Sequence, residues 1–173
     1  MKKIKLTQGK HALVDDEDYL FISQWKWFFN KGYAFRSTKN PAKTIPMHRA
    51  ILCPPIGTFC DHINGNGLDN RRKNLRVCSN SENQMNRRIP SNNKSGYKGV
   101  FWHGKDKIWI SVLKINKKAV YLDRCTRKID AAKSYDVGAL KYFGEFARLN
   151  FPKASRNLKS KKAEILSKLN SGV

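Results

Sequence analysis

The chain has 173 residues, 35 Lys/Arg against 13 Asp/Glu, a formal charge of +22 and 11% aromatic residues. That length holds one medium domain or two small ones, and the aromatic content excludes a disordered basic tail, which lacks such side chains to bury. Self-repulsion at this charge disfavours a compact state, so a polyanionic partner is expected, nucleic acid first and an anionic membrane surface second.

The excess is spread along the chain: residues 1–90 carry +9, residues 91–152 carry +8 and residues 153–173 carry +5. No apolar run is long enough to span a bilayer, and the opening MKKIKLTQGKH has no apolar stretch of the signal-peptide kind. The expected location is therefore the cytoplasm, in the cytosol or associated with the nucleoid. Cys53, Cys60, Cys78 and Cys125 form no CxxC pair and are expected as small buried side chains, not zinc ligands or disulfides.

Residues 1–46 read as strands near 4–6, 11–14, 25–29 and 33–36. The acidic patch 15–18 looks like a helix start, where carboxylates complement the helix dipole. Residues 59–77, FCDHINGNGLDNRRKNLRV, carry the densest chemistry. A short strand ends in Asp61-His62, a Gly/Asn loop follows, LRVCS is a second strand, and SNSENQMNR opens a helix. Ser79 is its N-cap and Glu82, three residues on, completes a capping box. In such a ββα unit Asn83 lies on the first helical turn, with its amide oxygen able to face the first strand. Asp61 and Asn83 can then hold one hard cation through oxygen, leaving positions for water and phosphate, which suits Mg2+ (or Mn2+). His62 points to the other side of the strand, and an imidazole titrating near neutrality can take a proton from water. Arg71, Arg72, Lys73 and Arg76 read as phosphate contacts in so basic a chain; the other reading is a solvated charged face on a basic surface hairpin.

RRIPSNNKSG, residues 87–96, reads as a linker. Beyond it YKGVFW, the turn HGKDK, IWISVLKI, the tight NKK and AVYLD form an antiparallel meander. A helix follows from Thr126 as N-cap, with Ile129, Ala132, Tyr135, Ala139, Tyr142 and Phe143 at helical spacing and Gly144 at its end. Strand alternation puts Trp109, Ser111 and Leu113 on one face, towards that helix, and makes Trp109 core. Lys98, His103, Lys105, Lys114 and Tyr121 are the candidates for a DNA-facing surface. Near the C-terminus Leu158, Ile165, Leu166 and Leu169 share one stripe of a basic amphipathic helix, or of an arm that DNA would order.

Two stretches resemble known families. Asp61-His62, Asn74 within NLRV and Asn83 within SENQ resemble the HNH (ββα-metal) endonucleases of the homing type found in phage introns and intergenic spaces. The resemblance implies His62 as general base, Asp61 and Asn83 as metal ligands, and Asn74 as the residue bracing the ββα loop. Upstream, IPMHRAIL resembles the His-Arg helix that often precedes this core; His48 is read as a structural hydrogen-bonding residue within that helix and Arg49 as a phosphate contact. Residues 95–152, with YKGV, Trp109, VYLD and the run ending Asn150-Phe151-Pro152, resemble the APETALA-two/ethylene-response-factor DNA-binding domain. That implies a three-stranded antiparallel sheet on one helix, with the sheet face in the major groove. The plant members read bases with several arginines on these strands. Here Lys98, Phe101 and His103 stand instead, so DNA binding carries over and the plant target site does not.

The expected fold class is α+β: an HNH domain at 1–90 with its ββα core about 57–88, a linker at 91–95, the sheet domain at 96–152 and a basic helical tail at 153–173. The expected function is a site-directed, metal-dependent DNA endonuclease. It would act on double-stranded DNA as a monomer in the cytoplasm of a bacterial or phage-infected cell, with no membrane partner. The alternatives are a DNA-binding regulator with an inactive nuclease core and an RNA-binding protein.

Overall fold

The computed structural model describes residues 1–39 and 41–152, so the stripe through Leu158 to Leu169 lies outside the described residues. The chain divides into two compact units, 1–86 and 87–173. The division falls four residues before the boundary expected at 90.

In the first unit β1 (Lys2–Lys5) and β2 (His11–Val14) pair antiparallel, Lys2 opposite Val14. Helix α1 (Asp16–Ser23) follows at once, with Asp16, Glu17 and Asp18 in its first turn. Three antiparallel strands come next in the order β3 (Phe28–Asn30), β4 (Tyr33–Thr38), β5 (Lys43–Pro46). The sequence reading had no strand at 43–46. Pro46 donates no ladder hydrogen bond, and β5 is accordingly an edge strand with the proline at its end. Helix α2 (Met47–Leu52) leads to β6 (Phe59–His62). A loop with one 3-10 turn at Arg72–Asn74 returns the chain to β7 (Leu75–Cys78), antiparallel to β6. Helix α3 (Asn80–Met85) closes the unit.

One core holds these pieces together. Ile4, Leu6, Ala12, Val14, Ile22, Trp27, Ala34, Met47, Ile51 and Leu75 form a single buried cluster. It draws on both hairpin strands, α1, α2, β4 and β7, so β7 is anchored on the same apolar mass as the N-terminal hairpin. Trp27 satisfies its indole N–H on the Ile22 carbonyl at 2.8 Å, as a buried Trp must.

The second unit has its own core. Strands β8 (Val100–His103), β9 (Ile108–Ile115) and β10 (Lys118–Cys125) form an antiparallel sheet in the order β10-β9-β8, and helix α4 (Lys128–Phe143) packs on it. The β9–β10 turn places Asn116 and Lys117 at φ of 49° and 66°, the handedness that matches strand twist in a two-residue hairpin. The Ser111 hydroxyl meets that of Ser134 on α4 at 3.3 Å, which fixes the helix-facing side of β9. Trp109 packs with Val100, Ala131 and Ala132 on that side. Two expectations about α4 change. The residue at its N-cap is Arg127, not Thr126, and its guanidinium binds Asp130 through Nε at 2.7 Å and Nη2 at 3.0 Å. The buried stripe runs through Ala131, Ala132, Tyr135, Gly138, Ala139 and Phe143, while Ile129 and Tyr142 are exposed. Of the cysteines, Cys78 is buried and Cys53 is exposed, and all four are free thiols.

Candidate active site

Asp61 and His62 end β6 side by side, both buried. Register puts Asp61 opposite Arg76 and His62 opposite Leu75. The loop between the strands is organised by asparagines. Asn74 accepts from the Asn64 backbone N–H at 3.0 Å and donates to the Asn64 side-chain oxygen at 3.1 Å and the Asp69 carbonyl at 2.7 Å. The loop is also tied to β2, because Leu13 donates to Leu68 O and Asn70 donates to Leu13 O, each at 2.8 Å. The glycine at 67 is required by close approach: a Cβ there would sit 2.4 Å from the Tyr33 ring.

His62 stands in a ring cluster. Its centroid lies 5.0 Å from His48, edge to face, and 5.7 Å from Tyr33. Its Nε2 is 3.3 Å from Asn70 Oδ1. Burial pulls the His62 pKa below the ordinary histidine value, against the hydrogen bond to Asn70 and the nearby Asp61 and Asp69 charges. That shift favours the neutral imidazole, the form that accepts a proton. His48 is pushed down further, to about 3, by burial and then by His62 and Arg49. His48 was expected to hydrogen-bond within its helix; instead it packs its ring on His62 and Tyr33.

Asp61 is more engaged than a sequence can reveal. Arg76 donates to its Oδ2 through Nε at 3.0 Å and Nη2 at 2.7 Å. Asn86, the C-cap of α3, donates its Nδ2 to both carboxylate oxygens at 2.9 Å and to the His62 carbonyl at 3.0 Å. Asn86 was missed. It lies three residues beyond Asn83, hence on the same helical face, and the sequence signal was a polar residue closing a short helix. Asn83 is half-buried, and its side chain makes no hydrogen bond with the described residues. The α3 N-terminus carries both capping-box bonds, Glu82 N–H to Ser79 Oγ at 3.2 Å and Ser79 N–H to the Glu82 carboxylate at 2.8 Å.

The donor set can be tested against a divalent ion. Asp61 Oδ2 receives Arg76 and Asn86, whereas Oδ1 receives Asn86 among the described residues and keeps a lone pair. Carboxylate and amide oxygens such as those of Asp61 and Asn83 are hard donors of the kind Mg2+ or Mn2+ takes, while the asparagine whose side chain hydrogen-bonds Asp61 is Asn86.

Three of the four loop cations read as phosphate contacts are ion-paired within the unit. Arg71 binds Asp69 at 2.7 and 2.6 Å, and that hydrogen bonding, helped by the charge of Arg71, holds the Asp69 carboxyl below the usual range. Arg72 binds Asp18 at 2.9 and 2.6 Å, and its backbone N–H meets Asp15 at 2.8 Å. Arg76 is paired with Asp61, and Arg49 donates to the Thr58 carbonyl at 2.9 Å. Lys73 is exposed. Arg71, Arg72 and Arg76 thus neutralise the unit's own carboxylates, including the acidic patch that opens α1 as its sequence suggested. The physical reason is that partly buried carboxylates need counter-ions close by.

In the second unit the side of β9 away from α4 carries Ile110, Val112 and Lys114. Register sets Phe101 and Arg124 beside Ile110, and Tyr121 beside Val112. Lys114 and Tyr121 are exposed there and Lys105 is exposed in the turn. His103 Nδ1 lies 3.2 Å from Asp106, and Lys98 Nζ donates to Arg87 O at 2.8 Å. Arg124 was not anticipated: its side chain is 71% exposed and its guanidinium lies 3.6 Å from Asp106.

Among the described residues no helix is long and apolar enough to cross a membrane. Residues 54–85 match the HNH endonuclease family. The chain is similar to Protein 3.8 of Escherichia phage T7, 38% identical over 72 residues, 41% of this chain and 60% of that protein. It is also similar to an uncharacterized HNH endonuclease of Acanthamoeba polyphaga mimivirus, 29% identical over 150 residues, 83% of this chain and 76% of that protein. The chain thus spans 60% of the phage protein's length, less than two thirds. The family match, which falls on the strand, loop, strand and helix carrying Asp61, His62, Asn74 and Asn83, together with these viral relatives, supports an HNH nuclease.

Proposed function

We propose that this chain is a site-directed DNA endonuclease of the homing type, which hydrolyses phosphodiester bonds with a divalent metal and is positioned by its second unit. The observation that carries the reading is the pairing, within the matched segment, of a buried His62 with a buried Asp61 beside it. His62 takes the proton of the water that attacks phosphorus. Asp61 and Asn83 would hold Mg2+ or Mn2+, which when bound polarises the phosphate and stabilises charge on the leaving 3′ oxygen. Asn74 braces the loop that presents these groups.

A ββα site grips phosphate with little base readout, so specificity has to come from elsewhere. The side of the β8-β9-β10 sheet away from α4, with Phe101, His103, Lys114, Tyr121 and Arg124, is the surface we assign to DNA, with Lys98, Lys105 and the +5 of residues 153–173 adding phosphate attraction. This matches the resemblance of residues 95–152 to the ethylene-response-factor domain. The test is nicking of supercoiled plasmid carrying candidate sites, with Mg2+ or EDTA. Wild type nicks only with metal, and His62→Ala loses at least about 100-fold in rate, the typical share of a general base. Binding without cutting under every metal tried would replace this reading with that of a DNA-binding regulator.

A further inference from the structure

We infer that Asn70 is a positioning residue for the nuclease site: its amide oxygen holds His62 in the tautomer with the proton on Nε2, leaving Nδ1 as the nitrogen that accepts the proton from water. The inference rests on the nuclease reading and adds to it which nitrogen reacts and what sets it.

Asn70 is fully buried, at 0% exposure. A buried amide has to place its oxygen and its NH2 on complementary partners. Its Nδ2 points to the Gly67 carbonyl at 3.5 Å and its Oδ1 to His62 Nε2 at 3.3 Å. Turning the amide over would set two oxygens against each other at Gly67, so the carbonyl decides the orientation. With Oδ1 towards the ring, an attractive contact requires a proton on Nε2. In a neutral imidazole the lone pair then lies on Nδ1, for which no hydrogen-bond partner is found among the described residues.

The amide cannot drift from this task. Its own backbone N–H is bonded to Leu13 O at 2.8 Å, which ties it to β2. The ring is confined from other sides by His48 and Tyr33, at 5.0 and 5.7 Å. Tyr33 in turn fills the space that a side chain at 67 would need. Neither ring contact distinguishes one nitrogen from the other, whereas the Asn70 oxygen does.

The experiment uses full-length protein with 15N-labelled histidine. Long-range proton–nitrogen spectra separate the two neutral tautomers, and the His62 signals are identified by their loss in His62→Gln. Wild type is expected as the Nε2–H form. Asn70→Ala releases the ring into a mixture of tautomers and lowers kcat about 100-fold with KM unchanged. Asn70→Asp, which keeps an acceptor at the same place, restores the Nε2–H form and most of kcat. Thermal unfolding of each variant checks that the fold is kept. A wild-type Nδ1–H form overturns the inference without any variant. So does an Asn70→Ala protein that retains both tautomer and kcat. If wild type shows the Nε2–H form but nicks no DNA with any metal, the nuclease reading falls and the catalytic part of this inference falls with it.

Discussion

Half-buried His48 packs its ring on buried His62, and burial lowers the pKa of each. The sign of the consequence follows from linkage. Between about 3, where His48 titrates in the folded protein, and its ordinary 6.5, the unfolded chain binds a proton that the folded one does not. His48 therefore adds stability that is present above 6.5 and is lost as pH falls from there towards 3. We predict that urea unfolding of the 1–86 unit shows stability dropping steadily from pH 7 to pH 4.5, and that His48→Gln flattens this dependence. An unchanged slope in the variant would show that another group carries it. The ion pair of Arg76 with Asp61 belongs to the same scale. Both side chains are largely buried, at 12% and 7% exposure, so removing Arg76 alone strands a charge, which typically costs about 3–5 kcal/mol.

The elements that matter most for function are short, and each is held by contacts outside itself. Strand β6 and strand β7 have four residues each, and α3 has six, too few to be stable alone. Leu75 in the shared core, the asparagine network and the Asn86 bridge supply what local propensity does not. In the second unit the approach of β8 to α4 depends on Gly99, at φ +68°, where a Cβ would lie 2.1 Å from the Tyr135 ring. Nearby, Asn150 accepts from the Lys98 N–H at 2.7 Å, and Asp136 accepts from the Asn150 and Phe151 N–H groups at 2.7 and 2.8 Å. Gly99→Ala combines overpacking with a strained backbone and is predicted to destabilise this unit by about 3 kcal/mol. Calorimetry of the full chain should then show one transition moved down and that of the 1–86 unit unchanged.

For the whole molecule the charge of +22 is unevenly available. The first unit spends Arg71, Arg72 and Arg76 on its own carboxylates. Residues 91–173 hold +13 in total, and Lys105, Lys114 and Arg124 are exposed there. The prediction is a division of labour: residues 87–173 alone bind duplex DNA and do not cut it, with log K falling linearly in log salt. A fragment with no affinity at low salt would break that division. Joined in one chain, the two units raise each other's effective concentration on DNA, so the intact protein should bind more tightly than either half.

Local chemistry is what the sequence alone determined. The Ser79/Glu82 box, the Gly144 helix end, the meander with its positive-φ turn and the helix-facing side of Trp109 all depend on residues a few positions apart, or on strand alternation. Tertiary structure decided the rest. Whether Arg72 meets phosphate or Asp18 is set by a partner 54 positions away, and which asparagine reaches Asp61 depends on how α3 is turned against β6. The Asn70 contact to His62 likewise exists only once the loop has closed on β2. A sequence states which groups are present. Only the folded chain decides which of them use up one another's charge and lone pairs, because those pairings are short-ranged and fixed by packing.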